Sequence, residues 1–307
     1  MSENQAINIR AARRAFDRAA ATAIGAGFLA REAESRMAER LDYLRTAPGR
    51  ILDLGCGGSA SIGLLARRYP SADIVGVNFS LAALRAVASD RGLGSRMKHW
   101  FARASGAPFR GALCSEIEHL PLTASSASMI WSNLALAWSG DPAAAFREFA
   151  RVLTPGGLLM FSTYGPDTLK ELREAFEGID SYSHTLRFTD MHDLGDMMVE
   201  SGFAAPVVDM HLVTLTYADV ESLIRDLRAT GETNASADRR RGLLAPSAWK
   251  RMSQAYDKYR RDGRVPATIE LIFGHAWKGE PRAKSERLPD GRVPVRFESF
   301  DTSRSKR

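Results

Sequence analysis

The chain has 307 residues, 45% hydrophobic and 25% charged, enough apolar content for one large α/β domain with a real core. It holds no run of about 18 apolar residues, which excludes a membrane-spanning helix, and the opening MSENQAINIR lacks the apolar stretch of a secretory leader. The formal charge of +6 is uneven: residues 51–216 carry 13 Lys/Arg against 17 Asp/Glu, residues 217–266 carry 11 against 7, and an acidic body speaks against a nucleic-acid groove. The only cysteines, Cys56 and Cys114, lack metal-ligand spacing and read as reduced thiols of a cytoplasmic protein.

In chain order, residues 8–21 and 27–46 predict two polar helices with Phe16, Leu29, Met37, Leu41 and Leu44 on apolar faces. Pro48-Gly49 ends them, and a β/α alternation begins. Strands are expected at 51–54, 74–77, 112–115, 128–132 and 158–163. Helices are expected at 59–69, 80–89 with Ser80 as N-cap, and 142–153. Residues 90–109 read as irregular, and Pro155-Gly156-Gly157 as a tight turn. Helices follow at 168–176 and 191–201, and strands at 206–215 and 268–277. The fifty residues between these last strands hold two helices, 219–229 and 247–260, read as a lid. Strands separated by helices of this length imply a doubly wound, Rossmann-like parallel sheet.

The first chemical signal is Ile51-Leu-Asp-Leu-Gly-Cys-Gly-Gly-Ser59, a strand running into a helix through glycines. Gly55 and Gly57 allow a sharp turn and close backbone approach to a ligand. Asn78 ends the second strand, where a carboxylate about 20 residues on usually meets ribose hydroxyls. An amide there can accept one hydroxyl and donate to another, and Asn78→Asp would then retain or tighten binding. Glu116, in EIEHLP, can accept from an adenine amino group. Asn133, in WSNLALAW, lies where a doubly wound sheet places its crevice. Asp53, Gly55, Gly57, Asn78, Glu116 and Asn133 are therefore the expected cofactor-binding set.

The turn at 51–59, EIEHLP at 116–121, WSNLAL at 131–136 and RVLTPGG at 151–157 together resemble a class I methyltransferase. RRAFDRAA at 13–20, FSTYGPDTLKELREAF at 161–176, RFTDMHDLGDMM at 187–198, LTYADVESLIRDLRATGETN at 215–234 and GHAWK at 274–278 are similar to a narrower family. That family is the malonyl-[acyl-carrier protein] O-methyltransferases of biotin synthesis. The resemblance implies S-adenosyl-L-methionine as cofactor and methylation of the free carboxylate of a malonyl thioester on acyl carrier protein. It implies an N-terminal helical segment at 1–48, a methyltransferase domain at 49–278 with its lid at 217–266, and a basic tail at 279–307. Four positions depart from the family's pattern: Ser59 for Gly, Asn78 for an acid, Glu116 for Asp, and no Tyr near Ala23. Another small-acid methyltransferase is one alternative. A second is a non-methylating relative like the mitochondrial complex I assembly factors, which resemble 189–234 and would bind the cofactor weakly.

A malonyl carboxylate is ionised near neutrality, with a pKa of roughly 4, so methyl transfer needs no general base and no metal. It needs a guide for the carboxylate, and Arg offers two parallel donors. Arg187 and Arg225 are the candidates. The basic lid, with Arg239-Arg240-Arg241, Lys250-Arg251, Lys258, Arg260, Arg261 and Arg264, is the expected dock for an acidic carrier protein.

Overall fold

The computed structural model describes residues 6–57, 61–90 and 109–280. Residues 91–108 of the irregular stretch expected at 90–109, Ser59 and the basic tail from 281 lie outside them, while Asp90 ends a helix and Phe109 begins a strand. Seven strands form one sheet in the order β3-β2-β1-β4-β5-β7-β6. They are β1 (Arg50–Leu54), β2 (Asp73–Asn78), β3 (Phe109–Cys114), β4 (Ala127–Asn133), β5 (Leu153–Tyr164), β6 (Phe203–Tyr217) and β7 (Val265–Lys278). The first five run parallel. β7 slots between β5 and β6 and is antiparallel to both.

The helices are α1 (Ile9–Ala19), α2 (Ala23–Ala26), α3 (Phe28–Arg40), α4 (Ser61–Arg68), α5 (Leu81–Asp90), α6 (Pro142–Val152), α7 (Lys170–Ala175), α8 (Met191–Glu200), α9 (Val220–Thr230) and α10 (Pro246–Tyr256). Five of their starts carry a side-chain cap. Asn8, Asp141, Asp190 and Asp219 each accept a backbone N–H of the first turn. Ser80 does the same for Ala83, 3.0 Å away.

Both faces of the sheet are covered, and alternate strand residues feed opposite cores. Ile51, Ile74, Met129, Trp131, Leu158 and Met160 pack with Ala33 and Met37 of α3 and Leu65 of α4. Leu52, Leu54, Ile130, Leu159 and Phe161 pack on the other face with Phe146 and Phe149 of α6 and Leu194 and Met198 of α8. Ala12 of α1 shares the first core.

Pro155-Gly156-Gly157 is not a turn before β5 but a bulge inside it. Ala127 pairs with Leu153 and Met129 with Leu158, so three extra residues loop out of the ladder. The segment between β6 and β7 carries α9 and α10, packed with α7 around Leu172, Leu223, Met252 and Tyr256. The start of the chain is stitched to this segment. Asn8 N–H donates to Ala235 O at 2.7 Å, Ala237 N–H to Ala6 O at 2.8 Å, and Thr22 Oγ1 to Ala229 O at 2.7 Å. The N-terminal helices and the segment after β6 thus close over the carboxyl ends of β1 and β4.

Candidate active site

β1 delivers its last residues to the carboxyl edge of the sheet, where the chain must reverse into α4. Gly55 takes φ +84° there, and a Cβ would lie 2.8 Å from that of Ala135. Only glycine fits both constraints. Gly57 is closely backed as well, its absent Cβ being 3.1 Å from Asn78 Nδ2 and 3.2 Å from Ala83 Cβ. The two glycines open on a mostly apolar cavity. Asn78, Phe79, Asn133, Leu134 and Trp138 line it from the sheet side, and Phe16, Ala23, Leu29 and Ala30 from the N-terminal helices. Phe16 meets Phe79 and Trp138 edge to face, with ring centroids 5.2 and 4.9 Å apart. A narrow extension runs past Ile9, Phe79 and Ile117 to Glu116.

The expected cofactor-binding residues fall at different depths. Asp53 is buried beneath the turn, outside the cavity lining, and accepts from Ser61 Oγ at 2.5 Å. Burial pushes its carboxyl up to about 7; the Ser61 hydroxyl pulls it back and the charge of Glu34 adds to the rise. Asn78 lines the cavity, but its amide first ties the turn together. Nδ2 donates to Cys56 O at 2.8 Å, and Oδ1 accepts from Ser80 N–H at 2.7 Å. Asn133 also lines the cavity. Its Nδ2 donates to Ala30 O and its Oδ1 accepts from Ser162 Oγ, which fastens α3 to the sheet. Glu116 forms an ion pair of 2.7 Å with Arg13, drawing α1 over the adjoining extension.

The Asn78 geometry reverses one expectation. A carboxylate at 78 would face the Cys56 carbonyl oxygen, and two acceptors cannot share that contact. Asn78→Asp is therefore expected to destabilise the protein by about 1–3 kcal/mol and to weaken, not tighten, ligand binding. Thermal melts and calorimetry check it, and unchanged stability would show that the turn does not depend on this bond.

A second, mostly apolar cavity lies beside the first. Tyr164, Leu169, Phe176, Leu186, Phe188 and Trp249 are among its walls, with Leu227 and Arg228 of α9 on the other side. The two linings share three residues: Leu29, Trp138 and Glu232. Leu134 (φ +56°) and Leu169 (φ +56°) hold left-handed backbone, one beside each cavity. Strain of this kind concentrates at functional sites.

The arginine candidates separate. Arg225 is 72% exposed, pairs with Glu221 at 3.5 Å and lines neither cavity. That position corrects its expected role, because a guanidinium that borders neither cavity is not placed to guide a carboxylate inside one. Arg187 lines an open groove with Arg173, and that groove adjoins the second cavity at Phe176, His184 and Thr185. The arginine in the second cavity's wall is Arg228, which no motif singles out. Glu232 was likewise not distinguished by the sequence, although it sits in the GETN run.

A family model described as a methyltransferase domain matches residues 52–161. The chain is 49% identical over 264 residues to the malonyl-[acyl-carrier protein] O-methyltransferase of Laribacter hongkongensis, covering 86% of this chain and 87% of that one. It is 46% identical over 270 residues to the protein of the same name from Gallionella capsiferriformans, covering 88% and 91%. Among solved structures, the YcgJ protein of Bacillus subtilis matches with a TM-score of 0.52 at 17% identity, over 81% of this chain and 99% of that one. That likeness concerns the fold alone. With its glycine turn, doubly wound sheet and this level of identity over most of its length, the chain belongs to the malonyl-[acyl-carrier protein] O-methyltransferase family.

Proposed function

We propose that the chain transfers a methyl group from S-adenosylmethionine to the free carboxylate of malonyl-[acyl-carrier protein]. The observation that carries this is the meeting of two cavities at Leu29, Trp138 and Glu232. One suits a nucleoside beside a glycine turn, and the other suits an acyl thioester. Bound at the turn, S-adenosylmethionine supplies an electrophilic methyl.

The protein's part is alignment and exclusion of water. The Gly55–Gly57 backbone leaves room for the methionine end, while Phe16, Phe79 and Trp138 enclose the nucleoside. Leu169, Phe188 and Trp249 keep the neighbouring cavity dry, so an incoming carboxylate loses its hydration and attacks faster. With that donor bound, the methyl would pass to a carboxylate oxygen and the sulfur would keep the electron pair of its bond to the methyl. No proton moves, so no base is needed. Arg228, exposed on α9 but bordering the second cavity, serves as guide for the carboxylate at its mouth in place of Arg225.

The carrier protein docks on the segment 217–266, but fewer of its cations are available than their number suggests. Arg240 pairs with Asp180 at 3.3 Å, Arg260 pairs with Asp257, and Arg264 bonds to Thr216. Arg241, Lys250 and Arg251 are exposed. Reversing these three to Glu is expected to raise KM for malonyl-[acyl-carrier protein] about tenfold, from several weak ion pairs of roughly 0.2–1 kcal/mol each. A short malonyl thioester should respond less than about twofold, and its rate should depend little on salt. The check is a methyl-transfer assay on both substrates. Equal responses would remove the lid as the dock. No transfer to either by the parent protein would favour a non-methylating relative.

A further inference from the structure

The two cavities border each other at the three residues common to both walls. Leu29 and Trp138 offer hydrocarbon and an indole there. Glu232 offers the one carboxylate among the three. It is held rather than free to swing. Oε1 accepts from Tyr164 Oη at 2.7 Å, and Oε2 accepts from Thr230 Oγ1 at 3.1 Å. Both donors are neutral. The nearby ionisable side chain that acts on it is Asp226, another acid. Burial pushes the Glu232 carboxyl up, the two hydroxyls pull it back, and Asp226 pushes it up again. A half-buried acid with hydroxyl donors, an acidic neighbour and no paired cation among the described residues is costly to keep. Hydrogen bonding alone does not explain it, since a glutamine would accept from Tyr164 and donate to Thr230 equally well.

We infer that Glu232 faces the sulfonium of the bound cofactor and makes the protein tell the charged methyl donor from its neutral demethylated product. The inference rests on the methyltransferase reading above, and it adds a residue that positions the donor by charge. The pairing explains why the acid stands where the cavities meet: that is where the methyl, and so the sulfonium, must lie. It also gives the product a reason to leave. Once the methyl has gone the sulfur is uncharged, and the attraction to Glu232 ends with the bond. Tyr164 acts one step behind, fixing the carboxylate toward the junction.

The test is calorimetry of the full chain with S-adenosylmethionine and with S-adenosylhomocysteine, two ligands alike except for the methyl and its charge. Glu232→Gln keeps both hydrogen bonds and removes the charge. It is expected to weaken S-adenosylmethionine binding about tenfold, as for loss of one charge-assisted contact, and S-adenosylhomocysteine binding less than about twofold. Glu232→Ala should shift the ratio of the two affinities in the same direction, which keeps the test open if the Gln variant folds poorly. Equal losses for both ligands would mean that Glu232 acts through shape, by way of Tyr164, and would overturn the inference. So would unchanged affinities. If the parent protein binds neither ligand, the methyltransferase reading falls and takes this inference with it. If it binds both and the ratio does not move in either variant, only the role of Glu232 falls.

Discussion

A folded Gly57→Val protein is expected to lose S-adenosylmethionine affinity by about a hundredfold or more, roughly 3 kcal/mol. The space at Gly57 is already closed behind the backbone, with Asn78 Nδ2 and Ala83 Cβ at 3.1 and 3.2 Å from a built Cβ. Valine adds two methyls beyond that point. They must either fill the cavity where the ligand lies or push Asn78 aside. The second course breaks the bonds from Asn78 to Cys56 and Ser80, which shape the turn. Both outcomes remove binding, and overpacking alone costs about 1–3 kcal/mol of stability. Calorimetry on a variant with a cooperative melt separates lost binding from lost fold. Retained affinity in such a protein would place the ligand elsewhere.

Asp53→Asn is expected to make the protein more stable at pH 8, on the order of 4 kcal/mol, and no more stable below pH 4. Burial raises the Asp53 carboxyl to about 7 in the folded chain, against an ordinary value of 3.8. Between those two pH values the folded state therefore binds more protons than the unfolded state. Stability falls as pH rises through that window and levels off above 7. Asparagine carries no such penalty, and its carbonyl still accepts from the Ser61 hydroxyl. Melts at pH 4, 6 and 8 should show the gap between variant and parent widening with pH. Parallel curves would mean that Asp53 is ionised in the fold without cost. An acid that destabilises the resting protein, set directly under the ligand turn, fits a site built for a cationic ligand rather than for maximal stability.

The β/α order, the glycine turn and the helix starts were legible because each depends on neighbouring residues. Asp141 and Asp219 cap helices three residues from the N–H groups they serve. Strand alternation separates Ile51 from Leu52 and Met129 from Ile130 onto opposite cores. The place of β7 was not legible. A parallel reading suits the first five strands, but nothing local shows that the last strand turns back and inserts between β5 and β6. Nor does a hydrophobic pattern distinguish a bulge at Pro155-Gly156-Gly157 from a turn, since both need glycine.

The sequence by itself determined the fold class, the family and the cavity-forming turn, because those reside in runs of adjacent residues. Only the tertiary structure decided what the polar side chains do. Asn133 bonds to Ala30 and Glu116 pairs with Arg13, each across 103 positions, and Glu232 meets Tyr164 across 68. Arg225 and Arg228 stand about 60° apart around one helix and both are exposed, yet only the second borders a cavity. A buried polar group must find its partner wherever the folded chain brings one, and no spacing in the sequence encodes a partner a hundred residues away.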